Sequence, residues 1–358
     1  MKKGLISFFL VAVGLMFISS YYGEYSGQQD KRTIYAGIAF YNQENLFDYE
    51  DDPLKNDDEF TPGGSYHWDE MKYEHKLANM SKVLALLCTE RIKGGAAFIG
   101  LSEVENARVL EDLCNQPALK EKGMKYVHYE GDDARGIDVA ALYNPRMFHL
   151  KSSELISVTE EYKKFSGGHI TRGVLHVYGN LLGENMHFLV NHWPSRGAAS
   201  PSREFMGRKV RQIVDSIYNI EPDARIFIMG DLNDDPDNKS VTEALGAINN
   251  KKKVKEGSQD LYNPWHEMLR KEGKGTLLYD NMWNLFDQII FSANMLGNDR
   301  SSFKFFKNEI FRPEWMTTTV GKYVGAPLRT TGSGVWQDGY SDHFPTQVYL
   351  VKEIEINR

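Results

Sequence analysis

Short apolar runs recur along the chain, each closed by Gly, Pro, Asn or Asp. IYAGIAFYN, AAFIGLSEVE, KYVHYE, DVAALYN, LHVYGNL, MHFLVNHW, RIFIMGDLN, FDQIIFS and TQVYLV have the length, alternation and flanking turn residues of strands. Two longer stretches follow a helical period. DEMKYEHKLANMSKVLALLCTERI carries Met71, Leu77, Met80, Leu84 and Leu87, and REFMGRKVRQIVDSIYNI carries Met206, Val210, Ile213 and Ile217, so each is expected to bury one helix face. Many strands, few helices and no regular strand–helix alternation predict antiparallel or mixed sheets packed on one another and covered by helices. Residues 236–285 and 293–340 read as long loops with little regular structure, and such loops in a compact domain are often functional.

With 358 residues, 41% of them hydrophobic, the chain can bury a large core, and no low-complexity break divides it. Lys2 and Lys3 precede an uncharged, mostly apolar stretch from Gly4 to Ser20, the pattern of a secretory signal. Ser19 to Gly23 make no clean small-residue cleavage site, so residues 1–23 are expected to be a signal peptide or, uncleaved, an N-terminal membrane anchor. A polar linker over 24–32 and one domain over 33–358 follow, and the expected location is exported: periplasmic, secreted or on the surface. The net charge of −7 argues against indiscriminate binding of polyanions, because the one dense basic cluster, KKKVKEG, reads as a solvated loop. Cys88 and Cys114 can pair or stay free, and the sequence leaves both open.

The chemistry gathers at strand ends. IAFYNQEN stops in Asn42 and Glu44, AFIGLSEVE in Glu103, FLVNHWPSR in His192 and Arg196, and IFIMGDLND in Asp231 and Asn233. Period-two alternation is expected to project Asn42 with Glu44, and Asp231 with Asn233, from one face of each strand. Oxygen donors dominate this set, which suits Mg²⁺, with Mn²⁺ or Ca²⁺ as substitutes, whereas zinc would recruit several close His or Cys. Magnesium leaves coordination positions for water and substrate phosphate, so acids scattered singly over several strands fit it. In GYSDHFPTQVYL, Asp342 and His343 stand just ahead of Pro345 and an alternating strand. His343 can serve as a base for water if a carboxylate fixes its other ring nitrogen, and Asp287 at the head of DQIIFS is the candidate. Neighbouring side chains on an extended backbone diverge, which frees Asp342 for a metal. His192, Asn233, Arg135 and Arg196 can donate to phosphate. Taken singly, each of these residues is more often a turn, cap or surface residue, so the case rests on their convergence.

YNQENLFD, GLSEVEN, ARGIDVAALYNP, NHWPSRG, FIMGDLND, NLFDQIIFS and YSDHFP, in this order, resemble the endonuclease/exonuclease/phosphatase superfamily, the relatives of deoxyribonuclease I, abasic-site endonucleases, neutral sphingomyelinases and inositol polyphosphate 5-phosphatases. The resemblance implies an α+β fold, a four-layered α/β/β/α sandwich of two mixed β-sheets flanked by helices, with the site at one end. Asn42 and Glu44 match the family's Asn-x-acid, Glu103 its metal-binding glutamate, and His192 its phosphate-contacting histidine. Asp231 and Asn233 match the Gly-Asp-x-Asn pair that aligns water and phosphate, Asp287 the acid that orients the histidine, Asp342 a metal-site acid, and His343 the general base. Whether His343 or Asp231 takes the proton from water stays open. Gln43, where many relatives carry Val, and Ala198–Ala199 depart from the pattern and bear on substrate preference.

The implied function is Mg²⁺-dependent hydrolysis of a phosphodiester or phosphomonoester by in-line attack of water, in a monomer with no protein partner. The substrate is a nucleic acid, a lipid headgroup or a small phosphorylated metabolite, and Trp193, Trp283, Trp336 and Tyr340 are either packing residues or stacking platforms for it. A different class of function is an exported non-catalytic protein that kept the fold to bind an anionic ligand. A glycosidase with paired carboxylates would leave Asn233 and two separate histidines without a purpose.

Overall fold

The computed structural model describes residues 31–356 apart from 256 and 333. The expected signal peptide or anchor at 1–23 and the linker up to residue 30 lie outside the described residues. Lys31 and Arg32, assigned to that linker, instead open the first strand, opposite Glu355 and Ile354. Among the described residues no helix is long and apolar enough to cross a membrane.

Each of the nine apolar runs forms a strand, and the strands make two large mixed sheets. Six lie in the order Lys304–Ile310, Thr346–Glu355, Lys31–Leu46, Phe98–Val104, Asp138–Tyr143, Lys125–His128. Seven lie in the order Phe148–Ile156, Val174–Leu181, Glu184–His192, Ile226–Asp231, Asp287–Ser292, Leu261–Tyr262, Ala247–Ile248. Lys31–Leu46 runs antiparallel to Thr346–Glu355 and parallel to Phe98–Val104. Ile226–Asp231 likewise runs parallel to Glu184–His192 and antiparallel to Asp287–Ser292.

Alternation along these strands builds the layers. In the seven-stranded sheet Phe188, Val190, Phe227, Met229, Ile289 and Phe291 join the core shared with the other sheet. Leu189, Ile226, Ile228 and Ile290 point the other way, onto Met206, Val210, Val214 and Ile217 of the helix Ser200–Ile220. The sheets meet at a stack of Phe98 on Phe188, with ring centroids 4.0 Å apart. At Gly100 a Cβ would stand 2.6 Å from Met229 Sδ, so glycine there lets the second sheet approach. On the other side of the first sheet lies the helix Glu70–Leu86, capped by Asp69, whose side chain accepts from Lys72 N, and burying Tyr73, Leu77, Met80, Val83 and Leu84. The result is the four-layered sandwich.

Some expectations change in detail. Met71 is 55% exposed, because six residues of helix separate it from Leu77 and turn it about 120° off the buried stripe, where Tyr73 sits instead. Leu87 follows the helix end, and Val214 rather than Ile213 is fully buried on Ser200–Ile220. The long loops carry more structure than expected: a helix His266–Arg270, a hairpin of Leu277–Tyr279 with Met282–Asn284, the edge strand Lys304–Ile310, and a hairpin of Thr331–Gly332 with Val335–Trp336. Phe148–Ile156 and Lys304–Ile310 escaped the pattern because an edge strand in contact with water keeps polar residues on both faces. Cys88 and Cys114 are both free.

Replacing Phe98 by Ala removes one ring of the stack between the sheets, and urea denaturation is expected to show a loss of about 3–5 kcal/mol. A loss below about 1 kcal/mol would mean that the sheets do not depend on this contact.

Candidate active site

Hydrogen-bond register assembles the site. His192 lies opposite Asp231, and Asp231 opposite Asp287, on three adjacent strands. Each residue is two positions from an inner-face apolar residue, His192 after Val190, Asp231 after Met229 and Asp287 before Ile289, so the alternation that fills the core puts all three on the inner face where the core ends. His192, Asp231 and Asp287 are at most 4% exposed. His192 Nε2 stands 3.7 Å from Glu103 Oε1 and 3.8 Å from Asp231 Oδ2. Burial, and then the charges of Arg172, His343 and Arg135, hold the His192 pKa well below its ordinary value, so the ring is neutral.

The first sheet supplies the opposite wall. Asn42 Nδ2 donates to Glu103 Oε1 and to Asp231 Oδ2, both at 3.1 Å, tying the two sheets together. Here the backbone departs from regular strand: pairing slips between Asn42 and Leu46, and Glu44, Asn45 and Glu103 have φ of 47°, 56° and 60°. Asn233 has φ of 51°. Left-handed backbone at non-glycine residues costs of order 1–3 kcal/mol each and here clusters at one place. The bend overrides the expected common face of Asn42 and Glu44. Glu44 turns to accept from Thr330 N at 2.6 Å and Arg329 Nε at 3.0 Å. Asn233 lies past its strand end, where its N–H donates to Asp231 Oδ1 at 2.9 Å and its amide to Trp193 O at 3.0 Å.

His343 enters from the turn before Thr346–Glu355. Ser341 Oγ donates to Asn42 O at 2.8 Å and accepts from His343 N at 3.1 Å, which pins the turn to the first strand. His343 Nδ1 lies 2.7 Å from Asp287 Oδ2, while Nε2 lies 3.8 Å from both Asp231 Oδ2 and Asp342 Oδ1. Burial opposes charge on the ring, but Asp287, Asp342 and Asp231 outweigh it and raise its pKa well above the usual value.

Other expected residues divide. Arg135 reaches the site rim and donates to Asn45 Oδ1 at 2.7 Å. Arg196 is held underneath, donating to Asn233 O at 3.2 Å and Asn284 Oδ1 at 3.1 Å over the Phe286 ring, which makes it a support for the Asn233 turn. The aromatic candidates pack: Trp193 is fully buried, Trp336 meets Trp68 edge-on, Trp283 lies against Phe344, and Tyr340 against Trp315.

Two cations escaped the sequence reading. Arg329 donates to Glu44 and, at 2.9 Å, to Asp342 Oδ2, and also feels the charge of Glu103. Lys76 is fully buried behind it, bonded to Thr330 Oγ1 and to Tyr340 O, with burial pulling its pKa down to about 8 against the pull of Glu44, Asp342 and Glu103. A lysine three residues after Tyr73 and four before Met80 lies on the apolar stripe, and that was the available signal. Nothing local marks Arg329.

Glu103, His192 and Asp231 offer ligand atoms within 4.8 Å of one another, as do Asp231, Asp287 and His343. Glu44 and Asp342, expected to join Glu103 at a metal, are here linked to each other through Arg329. The residues fit a hard divalent cation: the donors are mainly carboxylates, and the positive charge around them falls short. Burial and then Asp342 push Glu44 up to about 7, while burial, with Asp287 and Glu103 adding to it against the attraction of His343, pushes Asp231 up to about 7.

The sequence profile of the Endonuclease/Exonuclease/phosphatase family matches residues 37–352. No curated protein compared with the chain matches it. Among solved structures, the D. rerio TDP2 humanized by 14 mutations superposes with a TM-score of 0.53 at 12% identity, over 88% of this chain and 98% of that one. The mannosyl-6-phosphatase of Bacteroides thetaiotaomicron does so with 0.53 at 17%, over 88% and 99%. D. rerio TDP2 complexed with a single strand DNA product gives 0.51 at 14%, over 88% and 98%. At these identities the likeness is one of fold.

Because Glu44 and Asp231 keep their protons to higher pH folded than unfolded, the folded state binds more protons between about pH 4 and 7 and loses stability as pH rises through that window. The chelated protein is expected to melt at a lower temperature at pH 8 than at pH 5.5, and added Mg²⁺ to raise the melting temperature more at pH 8. Asp231→Asn should flatten the slope. A slope that Asp231→Asn leaves unchanged would contradict this assignment.

Proposed function

We propose, for a chain that belongs to the endonuclease/exonuclease/phosphatase family, that water attacks a phosphoester in line at the end of the sandwich, with His343 as general base oriented by Asp287. Family membership makes the chain a metal-dependent phosphoric ester hydrolase; the roles of single residues, the ion and the substrate are the proposal. The observation that carries it is the 2.7 Å contact of His343 Nδ1 with Asp287 Oδ2. It keeps a proton on Nδ1 and turns Nε2 toward the space beside Asp231 and Asp342, where a water can lie. In this reading neutral His192, Asn233 and Arg135 donate to phosphoryl oxygens, while Asn42 holds Glu103 and Asp231 together. Mg²⁺ held by Glu103 with Glu44 and Asp342, or Mn²⁺ or Ca²⁺ in its place, would supply the positive charge that phosphoryl transfer needs.

One observation favours a second assignment. His343 is held protonated by three carboxylates, whereas Asp231 is pushed up to about 7, so Asp231 can take the proton from water while the imidazolium of His343 donates to a phosphoryl oxygen. In either case Asp287 keeps the ring in place. Export through residues 1–23 belongs to the same proposal, supported by Lys2, Lys3 and the apolar stretch that follows.

On a phosphoester turned over by the wild type with Mg²⁺, His343→Ala and Asp231→Ala are each expected to lower kcat about 10²–10⁴-fold, and a chelator to abolish turnover. A rising limb of kcat/KM against pH that disappears in His343→Gln assigns the base to His343; a limb that persists there and disappears in Asp231→Asn assigns it to Asp231. Wild-type rates in both alanine variants would overturn the proposal, and ligand binding without turnover would favour the exported binding protein.

A further inference from the structure

The outer face of the seven-stranded sheet carries a second group of ligand-type side chains. His176 and His187 stand on the hairpin of Val174–Leu181 and Glu184–His192. His176 lies opposite Leu189 and His187 opposite Tyr178, and Leu189 packs on the helix Ser200–Ile220, so both rings leave on the helix side of the sheet. His187 precedes His192 by five positions, about 16 Å at the rise of a strand, and faces the opposite way. Two further elements complete the group: Glu154 stands opposite His176 on the edge strand Phe148–Ile156, and Glu221 directly follows the helix.

The four side chains form one run of contacts. Glu154 Oε1 is 3.3 Å from His176 Nδ1, His176 Nε2 is 3.0 Å from His187 Nδ1, and His187 Nε2 is 3.3 Å from Glu221 Oε2. A carboxylate only accepts, so His176 Nδ1 and His187 Nε2 carry the ring protons. A neutral imidazole has one N–H, and both are then used. His176 Nε2 and His187 Nδ1 are left facing each other as two lone pairs, a repulsive contact unless a cation joins it. A proton or a metal ion can do so. Burial lowers the His187 pKa by more than the hydrogen bond with Glu221 raises it, and a charged His176 adds to the lowering, which disfavours the extra proton.

We propose that His176 and His187 bind a divalent ion of the zinc type, at a site separate from the strand-end centre, with Glu154 and Glu221 holding the outer ring nitrogens. Imidazole nitrogens suit Zn²⁺, whereas Mg²⁺ takes oxygen, so the two centres select different ions. Zn–N bonds of about 2.0–2.1 Å at a tetrahedral angle put two ligand nitrogens about 3.3 Å apart, a few tenths of an ångström beyond their separation here. A metal-bound histidine almost always gives its other N–H to a carboxylate, carbonyl or water, which fixes the tautomer and makes the ligand more basic, and both rings are held in this way. Tyr178 stacks on His187 with ring centroids 4.4 Å apart and restrains its rotation. The side chains of His176, Glu154 and Glu221 are 15%, 66% and 40% exposed, so the pair opens to solvent at this edge and water completes the coordination. The ion ties the hairpin and the edge strand to the end of the helix.

Calorimetric titration of Zn²⁺ into the protein in saturating Mg²⁺ tests this. The wild type is expected to bind one equivalent of Zn²⁺ more than His176→Gln, and Zn²⁺ to raise the melting temperature of the wild type more than that of the variant. Glu154→Gln, on an exposed side chain, should keep the fold and weaken that equivalent by roughly 10–100-fold, as loss of a ligand's outer partner implies. Equal Zn²⁺ stoichiometry in the wild type and His176→Gln overturns the proposal and leaves the two rings sharing a proton. An equivalent that His176→Gln keeps and Asp231→Asn loses belongs to the strand-end centre and also overturns it. If circular dichroism shows that His176→Gln does not fold, Glu154→Gln decides alone, and an unchanged Zn²⁺ affinity there overturns the proposal.

Discussion

Carboxylates shut away from water are the constraint on which this end of the sandwich depends. Asp231 and Asp287 face inward at the last register of the core, where the apolar packing that seals the sheets also denies them solvent. An isolated buried charge is costly, so each acid is held by something: Asp287 by His343, Asp231 by Asn42 and the Asn233 backbone, Glu44 by Arg329 and the Thr330 amide. The partners come from both sheets and from the loops at 328–343, so the site exists only when the whole sandwich is closed.

That closure accounts for features that otherwise look unfavourable. Left-handed backbone at Glu44, Asn45, Glu103 and Asn233 would not persist at free strand ends; here the cross-sheet bonds of Asn42 and the bond from Asn45 N to Glu103 Oε2 hold it. Among the described residues no carboxylate pairs directly with buried Lys76, yet it anchors Thr330 and Tyr340 and so positions the loop that carries Arg329 and Ser341. The centre also keeps orphans of its own: among the described residues His192 Nδ1 and Asp287 Oδ1 are buried without a hydrogen-bond partner.

Much of this was legible in the residues. The runs FLVNH, FIMGD and DQIIF each alternate inward and outward, and that alternation alone places His192, Asp231 and Asp287 on the core face of their strands. The separation of Asp342 from the His343–Asp287 pair was also legible, because adjacent side chains on an extended backbone diverge, and Asp342 indeed faces Arg329 and the Nε2 side of the ring. The expected common face of Asn42 and Glu44 did not hold, since period-two reasoning assumes regular strand and the chain bends there. Arg196 fitted the expected phosphate donor by its place after NHW, but Asn284 and Phe286, nearly ninety positions later, draw it under the site.

By itself the sequence determined what depends on local periodicity and residue chemistry: the strands, the two covering helices, the inward face of each polar strand end, and a set of oxygen donors suited to a divalent cation and phosphate. Only the tertiary structure decided which strands lie side by side and in what register, and hence that Asp231 meets both His192 and Asp287. It also decided that Lys76 and Arg329 stand among the acids and that Arg172 pairs with Asp133. These are contacts between residues far apart in the chain, governed by how two twisted sheets pack and where buried charges find partners, and no local pattern encodes them.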